Sequence, residues 1–579
     1  MSKVFEFMKP YIPMLLCAAV LLVAEAWLAL ILPSYMADII NDGVLQGHLP
    51  VIWRGGAIML GITLLSVFLA LCTSYFAART STGVANDLRE AVFCKVLRFS
   101  NAEINQFSTS SLITRTTNDV MQIQNTLMMV IRQFIYTPVL AVGGIVRALE
   151  RSTSLAWIVI LATAVMVTLI AVLAVLALPK FQKWQSLIDQ INLVTRENLS
   201  GILVVRAFST QNFEKRRFAQ ANQALAANER FINIAFATMF PLIMLVFNLT
   251  TALIVWAGAH QAAAFRINVG DMFAFLQYGM LIIFAFLMIS ITFIMVPRAV
   301  VCAERVKEVL ETEGTIEITE NPIPLPADFK GVVEFRNVDF RYPDATEGDD
   351  NVLNDISFTA RPGQTTAIIG ATGTGKTSIF KLILRFFDVT GGGIYVDGID
   401  IRDLHKEELH DKIGYVAQKA LLFKGTIRSN LLYADKNATE ERVKDAVDTA
   451  QSTDFIAAKP DGYDSEVAQG GTNFSGGQRQ RLSIARALVK NAQIYMFDDS
   501  LSALDLKTDA NLRAALKKKM GERTIIVIAQ RVSSIMDADQ IVVLDNGRVA
   551  GLGKHQELLQ SCVVYREIAA SQLSEEEVG

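Results

Sequence analysis

The sequence is poor in cysteine, in excess charge and in repetition. Its five cysteines are scattered over 579 residues, with neither the spacing of a metal site nor that of a disulfide framework. We therefore expect ordinary thiols in a reducing compartment or in lipid. Lysine and arginine total 54 against 57 acidic residues, a formal net charge of −3, so nothing points to a nucleic-acid partner. There is no internal repeat and no low-complexity tract.

Apolar residues make up 52% of the chain and are concentrated in its first half. A helix that crosses a bilayer needs about 20 mostly apolar residues. We predict six such helices and no cleaved signal peptide, because the first run has full span length. The first contains one acid, Glu25, and the third is short and must borrow polar residues before Gln133. The runs are Pro13–Tyr35, Gly55–Ala78, Gln133–Val146, Ser152–Leu178, Phe231–Phe265 and Met272–Val296.

The segments between these runs alternate in length. Arg79–Arg132 and Lys180–Arg230 are long, polar and rich in lysine and arginine, whereas the other connections are short. Basic segments favour the cytoplasmic side, so we place the N-terminus and both long segments there. Each long segment is compatible with helices that run past the membrane and turn around at a tip. Candidate tips are Ser100–Phe107 and Gly201–Phe213.

The character of the chain changes after residue 297. A proline-containing linker is followed by β-rich runs such as VVEFRNVDF, TTAIIG, GIYVDG, IYMFDD and TIIVIAQ, which alternate with helical ones. This alternation is typical of an α/β domain with a largely parallel sheet. We therefore predict three parts: a transmembrane domain at 1–305, a linker at 306–330 and an α/β domain at 331–579.

The strongest motif is GATGTGKT at Gly370–Thr377, which matches G-x-x-x-x-G-K-[ST]. It follows an apolar strand and opens a helix, the context in which glycines let backbone N–H groups approach phosphates. Lys376 is expected to reach the β- and γ-phosphates, and the Thr377 hydroxyl to ligate magnesium. By itself the motif predicts a P-loop NTPase.

A second anion site is plausible at NFSGGQRQRLSIARAL (Asn473–Leu488), where a serine–glycine motif opens a basic helix. Because the P-loop already cradles the nucleotide, this second helix must serve another molecule. Further on, IYMFDD places Asp498 at a strand end, where a carboxylate can hold magnesium.

In this order, these motifs resemble the nucleotide-binding domain of ATP-binding cassette (ABC) transporters, and the SGGQ signature is nearly exclusive to that superfamily. With six preceding spans, the whole chain resembles a type IV ABC exporter half-transporter. The resemblance implies an all-α six-helix transmembrane domain followed by an α/β P-loop nucleotide-binding domain. It implies a multi-pass protein of the cytoplasmic (cell) membrane, with the nucleotide-binding domain in the cytoplasm. ATP and Mg²⁺ are the implied cofactors.

The family pattern also assigns roles by position. Tyr342 matches the aromatic residue that stacks on adenine, Gln418 the glutamine that meets magnesium, and Asp505 the end of the D-loop SALD. In the family, two such domains pack head to tail, and each nucleotide lies between the Walker motifs of one domain and the signature of the other. The resemblance therefore implies that the second anion-binding helix binds the partner domain's nucleotide. The expected metal ligands are Thr377, Gln418 and Asp498, and the expected catalytic residues are Asp499, Gln530 and Gln418. The expected nucleotide-binding residues are Tyr342, Gly370, Thr372, Gly373, Thr374, Gly375, Lys376, Thr377, Ser378, Ser475, Gly476, Gly477, Gln478 and Asp505.

Two of these positions depart from the family pattern. Fully active members have glutamate where this chain has Asp499, and histidine where it has Gln530. A displacement of about 1 Å can cost on the order of 10²-fold in rate, and loss of a placed general base costs roughly 10²–10⁴-fold. Since every binding motif is intact, we expect ATP binding to survive and hydrolysis at this chain's own Walker site to be slow. Neutral drift within a weaker homodimeric pump is the alternative explanation.

The pattern resembles the degenerate-site subunit of bacterial heterodimeric multidrug exporters. The expected partners are therefore a second half-transporter with a complete site, membrane lipid, and a hydrophobic or amphiphilic substrate. A homodimeric lipid flippase or peptide exporter is one alternative, and a non-transporting regulator that uses ATP as a ligand is another. Glu25 is part of a site for cationic drugs, makes a structural polar contact, or lies near a water-accessible edge; we favour the last two.

Overall fold

The computed structural model describes residues 2–264, 266–316, 319, 321–343, 345, 350–502 and 504–572. The chain forms two compact units. The first is Met1–Leu97 with Thr109–Thr312, and the second is Arg98–Ser108 with Glu313–Gly579. The chain therefore passes between the units three times. Phe265 at the predicted end of the fifth span, Ala503 in SALD and three linker positions (317, 318 and 320) lie outside the described residues.

Long helices dominate the first unit. α3 has 49 residues and α9 has 53. At about 1.5 Å per residue, each is more than twice as long as a hydrocarbon core of about 30 Å. The helices before residue 312 in the described chain are α1 Ser2–Met8, α2 Ile12–Asp38, α3 Leu49–Leu97, α4 Asn101–Phe107, α5 Thr109–Thr114, α6 Val120–Arg151, α7 Ala156–Ser200, α8 Ile202–Ala207, α9 Gln211–Ala263 and α10 Val269–Glu311.

Six helical segments of the described chain are long and apolar enough to cross a membrane, which confirms the six predicted spans. The third gains its length from upstream polar residues, as expected, because a π-helical turn at Arg115–Asp119 joins α5 to α6. The segments are Phe5–Val44, Leu49–Leu97, Thr109–Arg151, Ala156–Leu173, Gln211–Ala263 and Val269–Ile289.

Arg151 ties together the end of α2, the end of α6 and the start of α10. Its guanidinium donates to Asp38 at 3.3 Å and to Asp271 at 3.1 Å. Tyr278 on α10 adds a hydrogen bond to the Leu30 carbonyl of α2 at 3.0 Å. The predicted topology puts these helix ends on the non-cytoplasmic side, so three of the six spans are joined there.

The second unit is built on two larger sheets. A six-stranded sheet has the order β12-β11-β3-β10-β9-β6, and a four-stranded sheet the order β2-β1-β4-β5. The strands are β1 Val333–Phe340, β2 Leu353–Ala360, β3 Thr365–Gly370, β4 Gly391–Val396, β5 Ile399–Asp400, β6 Ile413–Val416, β7 Gly425–Thr426, β8 Glu466–Val467, β9 Ile494–Asp498, β10 Thr524–Ile528, β11 Gln540–Asp545 and β12 Arg548–Gly553.

Helices cover the six-stranded sheet. Its central strands β9 and β10 are buried along their whole length, as expected for parallel strands with both faces covered. The helices after residue 313 in the described chain are α11 Lys376–Ile383, α12 Lys406–Asp411, α13 Ile427–Leu431, α14 Glu440–Thr449, α15 Thr453–Ala457, α16 Gly476–Val489, α17 Leu506–Met520, α18 His555–Ser561 and α19 Val563–Ala570.

The strands β3, β10, β9 and β6 are adjacent and parallel, so their carboxyl ends lie at one edge of the sheet. The four-stranded sheet is antiparallel and differs from the largely parallel arrangement that we expected. It contains two of the predicted β-rich runs, VVEFRNVDF and GIYVDG. The burial pattern of β1 explains this placement, because buried and partly exposed positions alternate over much of its length.

The predicted tip at Ser100–Phe107 forms α4, which belongs to the second unit. Ser100 and Glu103 form a capping box at the start of α4. The Ser100 hydroxyl accepts a hydrogen bond from the Ala102 N–H, and the Glu103 carboxylate accepts one from the Ser100 N–H. The buried Glu103 carboxylate also accepts from the Thr315 N–H at 2.9 Å, and the Ser100 and Thr315 hydroxyls are 3.0 Å apart. The tip is thus hydrogen-bonded to the chain just after α10.

Candidate active site

The loop between β3 and α11 carries GATGTGKT. Gly373 and Gly375 have φ of +89° and +90°, in the left-handed region that favours glycine. A Cβ on Gly375 would lie 2.6 Å from a Leu353 methyl carbon and 3.1 Å from the Val352 carbonyl oxygen. Gly375 is also the N-cap residue of α11. The backbone therefore turns sharply and presents the helix N-terminus, as an anion-binding loop requires.

Lys376 and Thr377 open α11 at the carboxyl end of β9. The Lys376 ammonium donates to the carbonyls of Gly370 at 2.8 Å and Ala371 at 2.6 Å. The Thr377 hydroxyl donates to the Asp498 carboxylate at 3.2 Å. Thr377 and Asp498 thus bring a hydroxyl and a carboxylate oxygen together, which is the donor set that Mg²⁺ prefers.

Asp498 is only 1% exposed. Burial raises the pKa of its carboxyl, and the neighbouring charge of Asp499 acts in the same direction, while the Thr377 hydroxyl opposes them. Burial also lowers the pKa of Lys376, against the attraction of Asp499 and Asp498. Burial therefore destabilises both the Asp498 carboxylate and the Lys376 ammonium in this structure. A polyphosphate beside Lys376 and a divalent cation beside Asp498 would each supply it.

Asp499 follows β9 and accepts two side-chain amide hydrogen bonds. Its Oδ2 accepts from Gln530 Nε2 at 2.7 Å and from Gln418 Nε2 at 3.3 Å. Its backbone N–H donates to the Ile528 carbonyl at 2.9 Å. Asp499 is 8% exposed, whereas both glutamines are exposed. The three residues predicted as catalytic are therefore brought together at the ends of β6, β9 and β10.

Tyr342 lies just after β1 and packs on α11. Its hydroxyl is 2.8 Å from the Ser378 hydroxyl and accepts from the Lys381 ammonium at 3.3 Å. Its ring packs against Phe387 at 5.2 Å in a perpendicular arrangement. The structure places this aromatic ring next to the P-loop helix, where the family pattern expects the residue that stacks on adenine.

The signature residues form a separate feature at the start of α16. Ser475 is the N-cap, its hydroxyl accepts from the Gln478 N–H, and the Gln478 side chain accepts from the Ser475 N–H at 3.0 Å. Ser475 and Gly476 are exposed. Among the described residues, no hydrogen bond joins the Ser475–Gln478 segment to the P-loop. The first two signature residues are thus open to solvent at the N-terminus of α16.

Asp505 is the N-cap of α17. Its side chain accepts from the Thr508 N–H at 3.0 Å, and that hydrogen bond lowers the pKa of the exposed Asp505 carboxyl. The structure therefore gives Asp505 a capping role, and the family assignment of this residue to a nucleotide stays a prediction. Ala503, in the middle of SALD, lies outside the described residues.

Two residues near the site were missed by the sequence analysis. Burial and the Asp498 charge raise the pKa of Tyr415, whose hydroxyl bonds that carboxylate. Gln572 bonds the backbone of the segment that carries Gln530. Tyr415 stands three residues before Gln418 in YVAQ, so the strand itself could have indicated it. No sequence signal pointed to Gln572.

The chain matches two family descriptions and many known proteins. The ABC transporter transmembrane region matches residues 15–307, and the ABC transporter family matches residues 353–502. An uncharacterized ABC transporter ATP-binding protein of Mycobacterium tuberculosis is 42% identical over 99% of this chain and 98% of its own length. The ATP-dependent lipid A-core flippase of Pseudomonas aeruginosa is 31% identical over 99% of this chain and 96% of its own. A solved bacterial Atm1-family ABC exporter with ATP bound has a TM-score of 0.80 at 26% identity and covers 99% of both chains.

Proposed function

Since this chain belongs to the ABC transporters, with their transmembrane region and their ATP-binding domain, we propose that it is one subunit of a heterodimeric drug exporter. Membership makes it a multi-pass membrane protein with a cytoplasmic ATP-binding domain, and an ATPase coupled to transport. Its fold is that of a type IV exporter. The proposed substrates are hydrophobic or amphiphilic compounds. They would leave through the cytoplasmic membrane.

ATP binding is assigned to the P-loop side of the site. The left-handed turns at Gly373 and Gly375 form a loop whose backbone N–H groups would bind the phosphates. The Lys376 ammonium, which donates to two loop carbonyls in this structure, would bind the phosphate charge. Thr377 and Asp498 would hold one Mg²⁺, which neutralises charge on the β- and γ-phosphates when bound. Tyr342 supplies an aromatic face beside α11 for adenine.

Hydrolysis at this chain's own Walker site is proposed to be slow. The observation that carries this proposal is the contact between the Gln530 amide and the Asp499 carboxylate at 2.7 Å. Asp499 must orient the attacking water. The Gln530 amide holds the Asp499 carboxylate in place, but it can neither accept nor pass on a proton. Its side chain is also one methylene shorter than glutamate. Binding residues are complete, so the site retains ATP and turns it over poorly.

A second half-transporter is the proposed partner. The signature Ser475–Gln478 is complete, and its first two residues are exposed. In a head-to-tail pair it would close the partner's nucleotide site, which would have a proper glutamate and histidine. This chain would then bind ATP at one site and support hydrolysis at the other.

Exposed apolar surfaces support such a pair. Leu421, Phe423 and Tyr433 are exposed on the second unit, and the rings of Phe423 and Tyr433 stack at 4.7 Å. On the first unit, Leu203 and Phe208 are exposed at the tip formed by α8. Large exposed apolar side chains commonly mark interaction sites. We propose that the partner half-transporter covers both surfaces. When ATP binds, the partner would pull on the α8 tip of this chain through the surface that contains Leu203 and Phe208.

The decisive experiment measures ATP turnover by the purified chain in lipid, alone and co-expressed with the half-transporter encoded next to it. We expect negligible turnover alone, with nucleotide still bound, and activity restored by the partner. Brisk turnover by the chain alone would overturn the slow-site proposal and make the protein a homodimeric pump. The absence of a neighbouring half-transporter gene would weaken the heterodimer sharply.

A homodimeric lipid flippase is the second candidate. One relative that matches nearly the whole chain is a lipid A-core flippase. Proteoliposomes that contain the chain alone would test this candidate with a fluorescent lipid whose transfer between leaflets depends on ATP. Lipid transfer by the chain alone favours the flippase, and drug transport only with the partner favours the exporter.

A further inference from the structure

The segment after β10 carries Gln530 at its start, and its backbone is held on two sides. The Ala529 N–H donates to the Ile368 carbonyl of β3 at 3.1 Å. Three residues later, the Val532 N–H donates to the side-chain oxygen of Gln572 at 2.8 Å. The same Gln572 amide donates from its nitrogen to the Gln530 carbonyl at 2.9 Å. One side chain thus satisfies a donor and an acceptor on either side of Arg531.

The orientation of the Gln572 amide is fixed by its partners. A backbone N–H can only donate and a backbone carbonyl can only accept. The oxygen of Gln572 must therefore face Val532 and its nitrogen must face Gln530. No other rotation of the amide group satisfies both backbone groups. The arrangement copies the paired hydrogen bonds that a neighbouring strand would make.

The position of Gln572 is itself set by the core. It lies two residues after the end of α19, and its N–H donates to the Ala569 carbonyl at 3.0 Å. Tyr565 and Ala569 on α19 are fully buried in the same apolar cluster as Val532. The Tyr565 hydroxyl is 2.7 Å from Nδ1 of His555 on α18. A rigid helix therefore anchors the amide that holds the loop.

We infer that Gln572 is a positioning residue for ATP hydrolysis, which fixes the backbone that aims the Gln530 side chain at Asp499. This inference rests on the proposed role of Gln530 and Asp499 in hydrolysis. Gln572 touches neither reacting group. It acts through the Gln530 carbonyl and the Val532 N–H, so it sets the distance of 2.7 Å between the Gln530 amide and the Asp499 carboxylate.

Two variants of the full chain test the inference in lipid. Gln572→Ala removes both hydrogen bonds, whereas Gln572→Glu keeps the length and volume of the side chain but loses the donor toward Gln530. Gln556→Ala, at an exposed glutamine on α18, is the matched control. If Gln572 only fills space, Gln572→Glu behaves as the wild type. If Gln572 positions Gln530, both Gln572 variants hydrolyse ATP more slowly than the wild type, and Gln556→Ala hydrolyses it at the wild-type rate.

Hydrogen–deuterium exchange of the peptide that covers residues 529–535 tests the clamp itself. We expect faster exchange in Gln572→Ala than in wild type, with the peptides of β9 and α11 unchanged. Unchanged exchange at residues 529–535 would overturn the inference. This readout does not depend on the rate of hydrolysis.

Single-turnover hydrolysis of radiolabelled ATP tests the consequence, because it resolves slow rates. We expect Gln572→Ala to slow the chemical step roughly tenfold, with the affinity for ATP unchanged. In a Gln530→Ala background, Gln572→Ala should have no further effect, because the side chain that it positions is gone. Equal slowing in both backgrounds would overturn the inference. A fast wild-type rate would contradict the proposed slow site and leave this double-mutant comparison valid, so the two failures are distinguishable.

Discussion

The two halves of the active site are built in different ways. The phosphate-binding half is made by backbone turns at Gly373 and Gly375 and by Asp498, which is almost fully buried. The hydrolytic half consists of Asp499, Gln418 and Gln530, which meet through side-chain amides at the sheet edge. The left-handed turns at Gly373 and Gly375 tolerate few other residues, whereas substitution of Asp499, Gln418 or Gln530 removes only a few side-chain contacts. This difference supports the proposal that the chain binds ATP and hydrolyses it slowly.

The largest effect is expected from restoring the family's side chains. The double variant Asp499→Glu, Gln530→His should raise ATP turnover by the chain alone by roughly 10²-fold or more, since a placed general base contributes about 10²–10⁴-fold. ATP affinity should stay the same. Steady-state phosphate release in lipid measures the change. Unchanged turnover would show that the hydrolytic half is not limited by these two residues.

Lys376→Ala should damage the binding half instead. A hydrogen bond to a charged group contributes about 1.5–3 kcal/mol, so ATP affinity should fall by roughly 10- to 150-fold. Equilibrium binding of a fluorescent ATP analogue measures this loss. Lys518→Ala, at an exposed lysine on α17, is the control and should bind as the wild type does. Equal affinities of Lys376→Ala and Lys518→Ala would contradict the assignment of the P-loop.

Glycine substitutions separate the P-loop from the signature. Gly375→Ala places a Cβ 2.6 Å from Leu353 at φ +90° and should cost about 1–3 kcal/mol. For a domain of this size that is roughly 2–4 °C in melting temperature for each kcal/mol. Gly476→Ala meets no atom within 4 Å and should leave the melting temperature unchanged.

The same pair of glycines distinguishes the two nucleotide sites in the assembled transporter. With the partner present, Gly476→Ala should lower ATP turnover, because in the proposed heterodimer this signature closes the partner's site. Thermal melting and turnover of both variants make the comparison. Full activity of Gly476→Ala with the partner would argue against a shared site.

The smallest effect is expected from Asp498→Asn. Burial raises the pKa of the Asp498 carboxyl, so its ionised form costs stability at neutral pH, and the amide should stabilise the nucleotide-free protein by about 1 kcal/mol. As the pH falls through the raised folded pKa, the wild-type carboxyl takes up a proton and the difference should shrink. Melting curves with and without ATP and Mg²⁺ at neutral and acidic pH test both statements. If Mg²⁺ added to ATP raises the melting temperature of the variant as much as that of the wild type, Asp498 is not a metal ligand.

Local signals in the sequence predicted much of this structure. The six spans were predicted from the length of the apolar runs. The P-loop was predicted from eight adjacent residues, Gly370–Thr377, whose glycines permit the left-handed turns that the loop adopts. The antiparallel sheet was not predicted, because Val333 pairs with Ala360 and with Val396, and such pairings have no local signal. The contact of Gln530 with Asp499 could be expected only from the family pattern.

Other contacts had no sequence signal at all. Gln572 is a single glutamine at the end of a helix, and nothing in its neighbourhood marks it as a hydrogen-bond partner of residues 530–532. The π-helical turn at Arg115–Asp119 was equally hidden, because its composition is that of an ordinary polar helix. Both depend on packing between segments that are distant in the sequence or on small departures from helical geometry.

The place of α4 in the second unit has a consequence for biosynthesis. Glu103 accepts its hydrogen bond from Thr315, which is 212 residues further along the chain. At about 5–20 residues per second, the ribosome makes Thr315 roughly 10–40 s after Glu103. During that interval the capping box of Ser100 and Glu103 is the local contact that stabilises helix α4, without the hydrogen bond from Thr315. The tip is therefore a part of the ATP-driven unit that is synthesised first and waits in the cytoplasm for its docking partner to emerge.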